Sequence, residues 1–141
     1  MKFMMIVKAN KDSEAGVMPS QELIGAMAKY NEELMKAGAL VDLAGLQPSS
    51  KGFRVKFSQG KRTIVDGPFA ETKELAAGFW IIEVKSKDEA LSWAKRIPEP
   101  FGEGKEGIVE VRPFFGIEDF EPGEGVDRAK KLGEEFAKKK K

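Results

Sequence analysis

Residues 53–66 have the alternation of apolar and polar side chains that is typical of a β-hairpin. The pair Gln59-Gly60 fits a two-residue turn between the two strands. With such a turn, the facing pairs are Phe57 with Arg62, Val55 with Ile64, and Phe53 with Asp66. This register places the Asp66 carboxylate at the rim of the apolar face of the hairpin. A three-residue turn would shift one strand by one residue and move Asp66 to the other face.

The hairpin leads directly into a constrained and charged turn. Gly67 can take a positive φ without steric strain, and Pro68 fixes its own φ and keeps Gly67 out of the α region. Asp66 is therefore held in a defined position before the turn. The ionisable side chains of this stretch are Asp66, Glu71, Lys73 and Glu74. Since a turn needs none of these charges, we expect the functional site here.

The rest of the chain predicts the element order β-α-β-hairpin-β-α-β. The predicted strands besides the hairpin are 3–9, 39–46, 78–84 and 108–115, and the predicted loops include 10–18 and 47–52. The first helix has Ser20 as its N-cap and ends before Gly38. Its core-facing stripe is predicted to be Leu23, Ile24, Met27, Tyr30, Leu34 and Met35. The second helix follows a capping box that begins at Ser86, and it stops at Pro98.

This order favours an α+β fold, a ferredoxin-like sandwich in which helices cover one face of an antiparallel sheet. The other face needs a cover, because many large apolar residues are predicted on the strands: Phe3, Phe53, Phe57, Phe79 and Trp80. We therefore expect a homodimer with the sheets face to face. Residues 1–120 form the predicted domain. Residues 121–141 are a charged C-terminal tail with a short helix capped by Asp127, expected to dock or fray, with a partner-binding arm as the alternative.

The composition excludes several classes of function. The chain has 141 residues, no Cys, no His and a net charge of +1. Without His and Cys, Ser-His-Asp and Cys-His catalysis and ordinary zinc and haem sites are excluded. We predict no metal site and no cofactor, and the small net charge predicts no nucleic-acid or membrane partner. No apolar run approaches the roughly 20 residues of a membrane span. Without Cys, nothing demands an oxidising compartment, so we expect a cytoplasmic protein.

The run Asp66-Gly67-Pro68-Phe69 followed by Ala70-Glu71-Thr72-Lys73-Glu74 resembles the signature of the DGPF proteins, a branch of the YCII-related superfamily. The segments Met1-Lys2-Phe3, Lys29 to Leu34, Gly78-Phe79 and Glu110 to Pro113 also fit this family. The resemblance covers roughly residues 1–120. It implies a dimeric α/β-barrel of ferredoxin-like subunits, with a cleft beside each sheet. The superfamily has been suggested to use a His-Asp pair, and here Asp66 has no such His partner.

Three functional hypotheses remain open. The first is a protein that binds a small polar or anionic ligand, with the candidate residues Asp66, Gly67, Pro68, Phe69, Glu71, Lys73 and Arg62. The second is an isomerase, lyase or dehalogenase with Asp66 as acid-base group and Arg62 or Lys73 as electrostatic helper. The third, by family analogy alone, is an interaction module for a sigma factor. Whether the protein is an enzyme stays open.

Each candidate also has a structural interpretation. Asp66 could accept hydrogen bonds from its own turn, Phe69 could anchor that turn, and the charges at 71–74 could form an exposed loop. Arg54 and Arg112 are further candidates to hold a carboxylate or phosphate, since a guanidinium group can donate two parallel hydrogen bonds. The loop that contains Gln47 and Ser49 is placed near the cleft.

Overall fold

The computed structural model describes residues 1–140, and these form an α+β fold with two antiparallel sheets. Four strands make the main sheet in the order β2-β5-β1-β6: β1 Lys2–Lys8, β2 Leu40–Gly45, β5 Ala76–Glu83 and β6 Val109–Pro113. The second sheet is the hairpin of β3 Phe53–Ser58 and β4 Lys61–Asp66. The helices are α1 Lys11–Glu14, α2 Gln21–Lys36, α3 Lys87–Lys95 and α4 Glu124–Lys139. The main sheet has the ferredoxin-like strand order and stays open rather than closing into a barrel.

One face of the main sheet carries the hydrophobic core. Alternate residues of β1 and β5 are buried on this face, and α2 and α3 cover them with Tyr30 and Trp93 among other residues. The Tyr30 ring meets Trp80 edge-on, with ring centroids 5.6 Å apart. The Tyr30 hydroxyl donates a hydrogen bond of 2.7 Å to the Trp93 carbonyl oxygen. The two helices are therefore joined by a polar contact inside an otherwise apolar layer.

The predicted stripe of α2 is too wide. Tyr30 and Leu34 are buried, but Ile24 and Met35 are exposed at 44% and 63%. Only a narrow side of a helix that lies on a sheet reaches the core, so the residues that flank this side stay in solvent. The N-cap is as predicted, because the Ser20 hydroxyl accepts a hydrogen bond from the Leu23 amide.

The outer face of the main sheet is the one opposite the hydrophobic core. Met4, Ile6, Phe79 and Ile81 point to this face and are only partly buried, and none belongs to the core cluster. Phe3 and Trp80 lie in the core instead, which narrows the set of large residues that need a cover.

Two segments differ from their predicted form. The predicted loop 10–18 contains α1, because the Asn10 side chain accepts from the Ser13 amide and Ser13 bonds back to the Asn10 amide in a capping box. The tail helix α4 starts at Glu124 after Gly123, so Asp127 lies within its first turn and is not the N-cap.

The helix α4 does not dock through its apolar side. Leu132 and Phe136, which lie on that side, are exposed at 56% and 61%. Within residues 1–140, no helix is both long and apolar enough to cross a membrane.

Candidate functional site

The hairpin register agrees with the prediction from the sequence. Phe53 pairs with Asp66 and Phe57 pairs with Arg62, and the two-residue turn has positive φ at Gln59 and Gly60. Two central residues with positive φ give the turn whose twist matches the flanking strands. Asp66 is thus the last residue of β4 and lies on the apolar face of the hairpin, at its base.

A hydrogen-bonded bridge holds the turn that follows Asp66. We call Glu14, Ser49 and Phe69 the Ser49 bridge. The Ser49 amide donates to Glu14 Oε2 at 2.8 Å, and the Ser49 hydroxyl donates to Glu14 Oε1. The same hydroxyl oxygen accepts from the Phe69 amide at 3.0 Å. The bridge therefore ties three segments together, namely the end of α1, the loop before β3 and the turn after β4.

Gly67 fits this place because the backbone of the loop lies against it. Its amide donates to the Gly52 carbonyl oxygen at 3.0 Å, and a Cβ atom on Gly67 would overlap the Ser49 carbonyl oxygen. Gly67 is not among the glycines with positive φ, so close approach, rather than the expected freedom of φ, excludes a side chain here. The Gly67-Pro68 peptide bond is cis.

Phe69 has the structural role that the sequence suggested for it. Its side chain is half-buried, and the Arg54 guanidinium carbon lies 3.8 Å from the centroid of its ring. This is a cation–π contact between the turn and the opposite face of the hairpin. The Arg54 guanidinium group, a candidate to hold an anion, thus packs on a ring of its own chain.

The charged candidates lie in solvent. Asp66, Glu71, Lys73 and Glu74 are exposed, and the last two belong to a 3₁₀ turn at Thr72–Glu74. Within residues 1–140 none of them takes part in an ion pair. No hydrogen bond to the Asp66 carboxylate is found over the same residues, so it does not accept one from its own turn.

Arg62 is not close to Asp66 within one chain. The two residues lie on the same face of β4 but four positions apart, which is about 13 Å along an extended strand. The Arg62 guanidinium carbon lies 5.2 Å from the centroid of the Phe57 ring, near the tip of the hairpin. Arg112 lies on β6 and makes a long contact of 4.0 Å to Glu110.

Two shallow hollows within residues 1–140 lie away from the turn. One is at the hairpin tip, lined by residues 57–62, and the other lies between the start of α2 and residues 98–103. Neither is lined by residues 66–74. Across residues 1–140 no group of three or more Asp and Glu side chains is placed to hold a metal ion. The predicted cleft beside Asp66 stays a prediction.

The Ser49 bridge is the feature that sequence reasoning mostly missed. Ser49 was a weak candidate from its loop, and Glu14 was not a candidate at all. The spacing of Asn10 and Ser13 is a capping signal that could have revealed α1, and with it the position of Glu14. Nothing local in the sequence indicates that Glu14 contacts a residue 35 positions later.

Comparison with known proteins matches the part of the chain that contains this site. A family model described as "YCII-related domain" matches residues 1–117. The chain is also similar to an uncharacterised protein of Rhizobium meliloti (strain 1021), with 36% identity over 115 residues. That alignment covers 82% of this chain and 84% of the relative. The family match includes both sheets, the Ser49 bridge and the turn, and it ends before α4.

Proposed function

The chain belongs to the YCII-related domain family, and on that premise we propose that it is a homodimer that binds a small polar or anionic ligand beside the Asp66-Gly67-Pro68-Phe69 turn. The matched relative is itself uncharacterised, so the proposal is argued from the site. The dimeric α/β-barrel that the resemblance implies is the arrangement we propose for the two copies.

The uncovered outer face of the main sheet supports the dimer. Met4 and Ile6 of β1 and Phe79 and Ile81 of β5 form an apolar centre on this face, and they are partly buried in the single chain. A second sheet packed at about 10 Å would remove these side chains from water. An uncovered sheet face of this kind is more often an interface than a free surface.

The observation that carries the ligand proposal is the contrast between the fixed turn and the free carboxylate of Asp66. The Ser49 bridge and the Gly67 amide hold the backbone on both sides of Pro68. Asp66 itself is exposed and has no ion-pair partner within residues 1–140. A polar group on a fixed backbone is the arrangement that favours specific binding, because the backbone does not have to be ordered on association.

The chemistry of the residues defines the ligand class. Asp66 can accept hydrogen bonds from the hydroxyl or amine groups of a small ligand, and its apolar neighbour Phe53 can cover a hydrocarbon part. Lys73 is the first cation after the turn in the sequence and is the candidate for an anionic part of the ligand. The acid-base alternative for Asp66 has no observation in its favour, since no titratable partner contacts this carboxylate within residues 1–140. The sigma-factor alternative rests on family analogy alone.

A thermal-shift screen with small hydroxy acids, amino acids and sugars tests the proposal. A ligand at one hundred times its Kd stabilises the folded state by about 2.7 kcal/mol, which raises Tm by several degrees for a domain of this size. We expect Asp66→Asn to abolish the shift. The matched control is Asp127→Asn, an equal change on the exposed helix α4. A shift that survives in Asp66→Asn at the same ligand concentration would contradict the assigned site.

A further inference from the structure

The hairpin presents a large apolar face that nothing in residues 1–140 covers. The exposed fractions on this face are 65% for Phe53, 40% for Val55, 68% for Phe57 and 67% for Ile64. The pairing of β3 with β4 puts these four side chains on one side of the hairpin. At about 200 Å² for a full Phe side chain, they expose roughly 400 Å² together. A patch of this size is comparable to the largest that a typical monomer exposes, and such patches are often functional.

The opposite side of the hairpin has the composition of a solvent-facing surface. It carries Arg54, Lys56, Ser58, Lys61 and Thr63, with Val65 as its one large apolar residue. The apolar residues are thus segregated to one face of an arm whose two strands pair only with each other. An isolated two-stranded arm buries neither face, so solubility alone does not explain why the apolar residues are collected on one of them.

The charges on the apolar face are arranged so that the face is complementary to itself. Arg62 lies beside Phe57 toward the tip, and Asp66 lies beside Phe53 at the base. The pair Val55 and Ile64 lies midway between them. A two-fold rotation about this central pair exchanges the two ends of the face. It would bring the Arg62 of one copy to the Asp66 of the other, and the reverse, with apolar residues between the two ion pairs.

We propose that this face packs against the same face of a second copy of the chain, with the hairpins antiparallel and Arg62 of each copy paired with Asp66 of the other. An apolar partner without charges would leave both Arg62 and Asp66 unpaired at the interface, which is unfavourable. Roughly 400 Å² per copy is about half of what a stable interface buries on each partner. Since a dimer has a single two-fold axis, the remaining area must come from other surfaces of the same two copies that meet along this axis.

This arrangement gives the candidate site a residue from each copy, and Asp66 keeps acceptor positions for a ligand because a carboxylate can accept several hydrogen bonds. Within one chain Arg62 is about 13 Å from Asp66 along β4, whereas the two-fold brings a guanidinium group to the carboxylate. The hairpin contact rests on the homodimer of the proposed function, and the role of the second Arg62 in ligand binding rests on its ligand site. Association and ligand binding are measured separately, so failure of one is distinguishable from failure of the other.

Sedimentation equilibrium over a range of protein concentrations tests the contact. Arg62→Glu is expected to raise the dissociation constant at least tenfold, since the two-fold duplicates each lost pair, and Asp66→Lys is expected to do the same. The double variant R62E/D66K is expected to return to within about threefold of the original protein. The matched control is Lys56→Glu, an equal charge reversal on the opposite side of the hairpin, which should leave the dissociation constant unchanged.

Recovery in the double variant is diagnostic because the two positions are too far apart to pair within one chain. Circular dichroism establishes that each variant is folded before its association is compared. A double variant that associates more weakly than either single variant would overturn the proposal. An increase in the dissociation constant for Lys56→Glu as large as that for Arg62→Glu would also overturn it. So would an original protein that is still monomeric at a concentration 100 times that used for purification.

Discussion

Replacing Ser49 by alanine is expected to destabilise the protein by about 2 kcal/mol. The change removes one hydrogen bond to the Glu14 carboxylate and one from the Phe69 amide. A hydrogen bond to a charged group contributes about 1.5–3 kcal/mol, and a neutral one contributes about 1 kcal/mol. The Ser49 amide keeps its bond to Glu14, and the bridge is only partly buried, so water replaces part of what is lost. The expected loss of about 2 kcal/mol is therefore smaller than the simple sum of about 2.5–4 kcal/mol.

Equilibrium urea unfolding at one fixed protein concentration measures this loss. With an m-value of about 2 kcal/mol/M, the midpoint should fall by about 1 M. The matched control is Ser50→Ala, since Ser50 lies in the same short 3₁₀ turn, is exposed and makes no side-chain hydrogen bond within residues 1–140. Its effect should stay within about 0.5 kcal/mol, as for most surface substitutions.

A double-mutant cycle with Glu14→Ala decides whether the loss comes from the bridge. If Ser49 acts through Glu14, the double variant should be more stable than the sum of the single effects predicts, by about 1 kcal/mol. Equal midpoints for the Ser49 and Ser50 variants would refute the reasoning, and so would strict additivity in the cycle. Either result would mean that the bridge does not stabilise the turn in solution.

The remaining predictions concern two glycines and one tyrosine. Gly67→Ala should destabilise the protein by more than about 2 kcal/mol, because the turn must move away from the loop. Gly25→Ala should stabilise it by about 0.5–1 kcal/mol, since the space around Gly25 in α2 is open. Urea midpoints of the two variants that move in the same direction would contradict this. Tyr30→Phe should cost about 1 kcal/mol at neutral pH through its lost hydrogen bond. Burial raises the pKa of Tyr30 above 10. The original protein alone should therefore lose about 1.4 kcal/mol of stability per unit as pH rises beyond 10, and the two stabilities should cross at about pH 10.7. A gap between them that stays constant from pH 7 to pH 11.5 would argue against a buried neutral phenol.

The hairpin was predictable from the sequence because its determinants are local. Alternation over 53–66 and the pair Gln59-Gly60 specify both the strands and their register, since a two-residue turn leaves one pairing. The position of Asp66 on the apolar face follows from that register. The N-cap at Ser20 was predictable for the same reason, because a side chain that bonds three residues ahead needs no tertiary context.

The Ser49 bridge was not predictable, because it joins segments that only the fold brings together. Glu14 and Ser49 are 35 positions apart, and Ser49 and Phe69 are 20 apart. The predicted width of the α2 stripe was wrong for a related reason. Ile24 and Met35 fit a helical period, but the period does not say how much of the helix circumference the sheet contacts. A local sequence pattern does not predict contacts that depend on which surfaces of the folded chain meet.

The place of the turn in the fold gives its residues a role that composition alone would not suggest. Gly52 precedes β3 and Gly67 follows β4, and the bond between their backbones closes the base of the hairpin. The Ser49 bridge fixes that base to α1, so the direction in which the arm extends from the main sheet depends on Gly67 and Phe69. Because the apolar face and the Asp66 carboxylate lie on the same arm, the turn orients both at once. Ligand binding and association through this arm would then depend on one common set of backbone contacts.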